Sequence, residues 1–140
     1  MLHSSHISLA LLTVIVVAMG GCGPVTGTVS GTVTVDGKPA ATGVISFIPA
    51  DNTKAPPVTA EIKAGQYSAE AKTGPKIVQI SVPVVTGQRK EYNGPDAPLV
   101  DITEESVPAR YNSETELVFE VKRGSNQKDW SVESVKGKSR

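Results

Sequence analysis

The chain has 140 residues, is 39% hydrophobic, and carries 14 Lys and Arg against 14 Asp and Glu. That length fits one domain, and that apolar content excludes a wholly disordered chain. The charge balance leaves no basic excess of the kind nucleic-acid binding requires, so no nucleic-acid partner is expected.

The only cysteine is Cys22, and both histidines, His3 and His6, precede it. No intramolecular disulfide can form. A chain beginning at Cys22 would have no imidazole, which removes most zinc sites and most nucleophile–base pairs. No G-x-S-x-G elbow, P-loop, EF-hand or zinc spacing occurs. The expectation is therefore a protein that is not an enzyme, with no catalytic residue, no metal and no cofactor.

Residues 7–19 form an apolar run of 13, I-S-L-A-L-L-T-V-I-V-V-A-M. A bilayer span needs about 20 apolar residues, so the run matches the apolar region of a signal peptide instead. Gly20 and Gly21 follow, then Cys22. Small side chains there let an extended backbone enter a signal peptidase. This arrangement resembles the lipobox of bacterial lipoproteins, with Met19 where that pattern usually has Leu. The leader also lacks the usual Lys or Arg before its apolar run.

The resemblance implies that the Cys22 sulfur receives a diacylglycerol, that cleavage falls before it, and that the new amino group is acylated, as with palmitate. Each buried methylene contributes about 0.8 kcal/mol, and two or more chains give stable anchoring. The competing readings are an ordinary signal peptide with an incidental cysteine, or a retained anchor helix. Gly23 stands where Asp resembles an inner-membrane retention signal, which favours the outer membrane in a two-membrane envelope. The expected division is a signal peptide over 1–21, a lipidated cysteine and tether over 22–27, a domain over 28–134, and a polar basic tail over 135–140.

From residue 28 the sequence alternates with period two, the mark of half-buried strands. Val29, Gly31, Val33 and Val35 share one face, and Asp36-Gly37 supplies a turn suited to positive φ. The absence of charge from Val29 to Val35 leaves strand-mediated association open. Residues 43–49, G-V-I-S-F-I-P, form a second strand. Val58–Lys63 and Gln66–Ala71 flank the Ala64-Gly65 turn. The longest candidate covers 76–85, with Val78, Ile80, Val82 and Val84 on one face. Pro83 marks an edge or bulge there. Residues 86–115 read as a long connection rich in Gly, Pro and charge. Alternation resumes with Leu117, Phe119 and Val121, and Trp130 with Val132 closes the last strand. No amphipathic helix of useful length is expected.

The segment V-S-G-T-V-T-V-D-G-K-P-A-A-T-G-V-I-S-F-I-P at 29–49 resembles the opening of carboxypeptidase regulatory-like domains, members of the transthyretin-like group. A-G-Q-Y-S-A at 64–69 and V-P-A-R-Y-N-S-E-T-E-L-V-F-E-V at 107–121 are similar to later segments of that pattern. The resemblance implies an all-β fold, a seven-stranded Greek-key β-sandwich, and almost no chemistry. The hydrolase among transthyretin-like proteins uses histidines and a C-terminal Tyr-Arg-Gly, whereas this chain ends K-G-K-S-R.

Function is therefore expected on loops carried by a rigid sandwich, chiefly over 86–115. Tyr92, Arg89 and Tyr111 are the residues expected to contact a ligand. Asp101, Glu104 and Glu105 could bind Ca²⁺ but read better as a solvated acidic turn, as does Asp51-Asn52-Thr53. The leading reading is a lipid-anchored, non-enzymatic cell-envelope module. It would be exported, held at the membrane by its lipid, and would have an envelope protein or a glycan as partner. The alternative is a carbohydrate-binding accessory domain, which an exposed aromatic pair would favour and a buried Trp130 would disfavour.

Overall fold

The computed structural model describes residues 23–51 and 54–135. Cys22, the leader, Asn52, Thr53 and residues 136–140 lie outside the described residues. The fold is all-β. The strands are β1 (Thr26–Val35), β2 (Lys38–Pro39), β3 (Thr42–Pro49), β4 (Val58–Lys63), β5 (Gln66–Lys72), β6 (Gly74–Ser81), β7 (Pro83–Lys90), β8 (Leu99–Glu105), β9 (Val118–Val121), β10 (Gly124–Gln127) and β11 (Trp130–Val132). The described residues contain no α-helix, only a 3-10 turn at Ala109–Tyr111.

One curled sheet runs β10-β1-β5-β4-β3-β6-β9, with β2 and β11 also pairing with β1. Its pairs are antiparallel except that β10 and β11 lie parallel to β1. β4 and β5 pair only at Lys63↔Gln66, beside their turn. The sheet bends there, so residues from β1, β3, β4, β5, β6 and β9 meet in one core cluster. Phe47 and Tyr67 stack within it, ring centroids 6.1 Å apart.

Period-two alternation placed this core correctly. Val29, Val33, Ile45, Phe47, Val78 and Ile80 are fully buried, and Val35, Leu117 and Phe119 pack against them. Such burial of branched side chains stabilises the fold at roughly 1.5–3 kcal/mol each. Trp130 and Val132 are buried together, as their register requires. Two turns have positive φ at both central positions, Asp36 (49°) with Gly37 (79°) and Ala64 (50°) with Gly65 (76°). That geometry matches the right-handed twist of the flanking strands.

Three expectations need correction. First, the 86–115 segment is not one irregular connection. Its first part continues β7 and then returns as β8, making a separate two-stranded ribbon with a bulge between Val85 and Gly87. The ribbon escaped detection because neither strand has a full core face, so no clean alternation marks it. Second, the 76–85 strand is two strands. β6 ends at Ser81, Val82 is still buried, and Pro83 begins β7, because proline has no N–H to extend the β6 ladder. Third, β1 is no edge. β5 and β10 pair with its first part from opposite sides, and β2 and β11 both pair with Thr34 and Val35, again from opposite sides, so its uncharged stretch is covered.

Candidate functional site

Strand register gives the sheet two distinct ends. At one end, β1 begins at Thr26, opposite Lys72, and the Thr73 N–H donates to the Val25 carbonyl at 2.9 Å. This end lies next to Cys22 in sequence. β1 and β6 both run from it toward the opposite end, where Val35–Asp36 turns and Ser81 hands the chain to the β7–β8 ribbon. The ribbon base and the Asp36 turn therefore stand away from the Cys22 end.

Between them lies a cleft of about 620 Å³. Pro39, Ala40, Val82, Pro83, Val84 and Val85 give it apolar walls. Asp36, Lys38, Ser106 and Ser134 supply polar groups. Pocket chemistry of this sort, apolar walls with a few polar groups, is what small-ligand and peptide sites present. Val85 is 59% exposed, so this wall has apolar surface open to a ligand.

The polar groups are tied to the frame. The Ser134 hydroxyl and N–H donate to the Asp36 carboxylate at 2.5 and 3.0 Å. These bonds, with help from Lys38, hold the Asp36 carboxyl below its ordinary value of 3.8. The Ser106 hydroxyl donates to the Val82 carbonyl. Glu105 organises the ribbon base. Its carboxylate accepts from the Ser81 hydroxyl at 2.5 Å and from the N–H groups of Val82, Ser106 and Val107 at 2.8, 3.1 and 3.3 Å.

The residues expected to contact ligand divide between two places. Arg89 lies exposed on β7 opposite Val100, and Tyr92 lies in the ribbon's turn, 55% exposed. Tyr111 is elsewhere, in the 3-10 turn, packed against the core cluster. The Arg110 guanidinium lies 4.9 Å from the Tyr111 ring centroid and pairs with Glu133 at 2.5 Å; both neighbours raise its pKa. Tyr92, Tyr111 and Trp130 form no exposed platform, because Trp130 is buried and Tyr111 half-buried. The three acidic residues do not converge either. Asp101 accepts from Gln88 at 2.8 Å, while Glu105 is committed to the ribbon base. Among the described residues no group of three His, Cys, Asp or Glu could hold a metal ion, and no helix is long and apolar enough to cross a membrane.

The cleft was missed from sequence. The Asp36-Gly37 turn was legible, but its partner Ser134 lies 98 residues away. No local pattern reports that pairing. No family model, curated protein or solved structure matches the chain.

Proposed function

We propose that this chain is an exported lipoprotein, anchored through acylated Cys22, that serves as a non-enzymatic binding or structural module of the cell envelope. On this reading its domain is a seven-stranded Greek-key β-sandwich of the transthyretin-like, carboxypeptidase regulatory-like kind. The all-β curled sheet around one core is compatible with that. The partner is an envelope protein or a glycan, and the outer membrane is the favoured site in a two-membrane envelope.

The observation that carries the reading is the polarity of the fold. β1 starts at Thr26, directly after the short segment that follows Cys22. Extended chain spans at most about 3.6 Å per residue, so a lipid on Cys22 would hold that end near the membrane surface. The cleft and ribbon sit at the opposite end, where a partner could reach them. A primarily glycan-binding role has less support, since the described residues expose Tyr92 without a second open aromatic ring beside it in sequence or register.

Intact mass of the membrane-fraction protein, wild type beside Cys22→Ser, tests the anchor. The expected result is a chain starting at residue 22 with added acyl mass, and loss of membrane association in the variant. An unacylated product, or a variant equally membrane-bound, overturns the lipoprotein reading.

A further inference from the structure

The end of the sheet that adjoins Cys22 in sequence gathers several connections. Thr26 of β1 pairs with Lys72, where β5 ends, and Gly74 of β6 pairs with Val121, where β9 ends. Pro49, the last residue of β3, pairs with Lys76. The connections at 50–57, 73 and 122–123 therefore meet at one rim, beside Val25.

This rim is basic, although the whole chain is neutral. Lys54, Lys72, Lys122 and Arg123 are exposed on it. The ion pairs among the described residues, Lys63–Glu61 and Arg110–Glu133, involve none of them. Lys76 adds a buried ammonium against the Thr73 and Gly74 carbonyls. The nearby acidic residues are Asp51, in the 50–57 connection, and Glu70 and Glu120, on the strands behind it. Glu70 already accepts from the Thr26 hydroxyl at 2.9 Å. The ribbon has the reverse balance. Over 83–105, Arg89 and Lys90 are outnumbered by Glu91, Asp96, Asp101, Glu104 and Glu105.

Two of the rim cations stand on fixed backbone. The Asn126 side chain accepts from the Lys122 N–H at 2.9 Å and donates to the Lys122 and Gly124 carbonyls at 2.7 and 3.2 Å. Gly27 lets this turn press on β1, because a Cβ there would collide with the Lys122 carbonyl oxygen. Beside them Val25 is 50% exposed, and its carbonyl is tied to the Thr73 N–H at 2.9 Å. At a surface of this kind, apolar contact and attraction to anionic lipid add.

We propose that this rim docks on an anionic phospholipid bilayer, with Lys54, Lys72, Lys122 and Arg123 on the headgroups and Val25 at their level. The lipoprotein reading supplies the geometry on which this inference rests, and the rim adds a second contact that orients the domain. Only Gly23 and Pro24 separate Val25 from Cys22, a reach of at most about 11 Å. The screening length at physiological salt is about 8 Å. An acyl chain on Cys22 would thus keep the rim near the range of headgroup charge, with the ribbon and cleft pointing away.

The test uses the full chain carrying Cys22→Ser, so that no acyl chain holds it. Its vesicles are phosphatidylcholine alone, or phosphatidylcholine and phosphatidylglycerol in equal parts. Co-sedimentation should show binding about tenfold or more tighter to the anionic vesicles, weakening as salt rises. The leader's apolar run would favour neither vesicle, so the ratio between them reads the rim. Lys122→Glu with Arg123→Glu should abolish most of that preference. Arg89→Glu with Lys90→Glu, the same charge change on the ribbon, should leave it unaltered. Equal binding to both vesicles, or equal loss from the two reversals, overturns the proposal. Intact mass of the wild type separates the two readings. An acylated wild type whose Cys22→Ser form lacks the preference sinks the rim alone; an unacylated wild type whose Cys22→Ser form keeps it sinks the anchor alone.

Discussion

Gly31 and Tyr67 lie opposite each other in the β1–β5 register, and both address the carbonyl of Lys128. The Tyr67 hydroxyl donates to that oxygen at 2.6 Å. Gly31 lets it approach, because a Cβ there would collide with the Lys128 carbonyl carbon and oxygen. The pair fixes how Lys128 lies against β1 between β10 and β11.

Gly31→Ala should therefore destabilise the fold by about 1–3 kcal/mol, since backbone atoms must shift to admit the methyl group. Gly37→Ala is the comparison. It meets nothing within 4 Å, so only the strain of positive φ (79°) acts there. Urea unfolding of both variants checks the order. Equal losses would mean that the Lys128 contact contributes nothing specific.

Tyr67 gives a pH prediction. Burial pushes its phenol up to about 12; the nearby Trp130 indole pulls weakly the other way, and Asp129 adds to the rise. Burial outweighs the pull of the Trp130 indole, whose N–H has no hydrogen-bond partner. The folded pKa exceeds the ordinary 10.0, so the folded state holds the proton more tightly. That contribution to stability is complete below pH 10 and is lost as pH rises toward 12. Phenolate absorbance of the native protein should show one late-titrating tyrosine that Tyr67→Phe removes. Tyr67→Phe should also lose about 1 kcal/mol of stability, the hydrogen bond to Lys128. A variant whose alkaline titration matches wild type contradicts the assignment.

The opposite sign should hold at Ala64. Its φ of 50° is a conformation that costs an L-residue with a Cβ roughly 1–2 kcal/mol, and Asn tolerates it better. Ala64 is exposed, and its N–H donates to the Ala41 carbonyl at 3.0 Å, a bond that Asn would keep. Ala64→Asn should raise the melting temperature, a change that calorimetry reads directly. A lowered Tm would mean that the Ala64-Gly65 turn is not the source of strain.

What the sequence made legible is what local physics controls. Alternation exposed the buried faces of β1, β3, β6 and β9, and the Asp-Gly and Ala-Gly pairs exposed two turns. What stayed hidden depends on distance or on a broken pattern. The parallel pairing of β10 with β1 joins Gly27 to Gly124, and nothing near either residue announces it. The ribbon has a bulge and no core face, so it read as loop. Of the expected ligand contacts, Arg89 and Tyr92 share the ribbon, but Tyr111 packs on the core. Its position in a Tyr-Asn segment gave no sign of which way the ring would turn.

Lys76 shows how strict alternation can mislead about charge. It falls on the buried face of β6 with Val78 and Ile80, and only 3% of it is exposed. Its Nζ reaches the carbonyls of Thr73 and Gly74 at 3.5 and 3.4 Å, long contacts at the end of the core. The side chain's main contribution is its apolar stem, which packs while the ammonium rests against those two carbonyls. Lys76→Met should leave stability unchanged or raise it, while Lys76→Ala should lose about 2 kcal/mol or more through the space it leaves. Chemical denaturation separates the two. If Met is as damaging as Ala, the ammonium itself holds the Thr73–Gly74 turn.

Glu105 offers the sharpest separation between ribbon and core. Its carboxylate takes four donors, from Ser81, Val82, Ser106 and Val107, where β6 passes into β7 and β8 ends. Removing it takes the acceptor from the N–H groups of Val82 and Val107 at a partly buried junction, while the Ser106 N–H keeps the Val82 carbonyl. Hydrogen bonds to a charged group contribute about 1.5–3 kcal/mol, so Glu105→Ala should cost stability of that order. Glu105→Gln keeps an acceptor oxygen of the same reach and should cost less. The distinguishing readout is amide exchange by region. Glu105→Ala should accelerate exchange in β7 and β8 far more than in β3, because among the described residues the ribbon pairs with no other strand and relies on this junction to stay docked. Uniform acceleration across the chain would instead make Glu105 part of the core's own stability, and the ribbon would then unfold only with the whole domain.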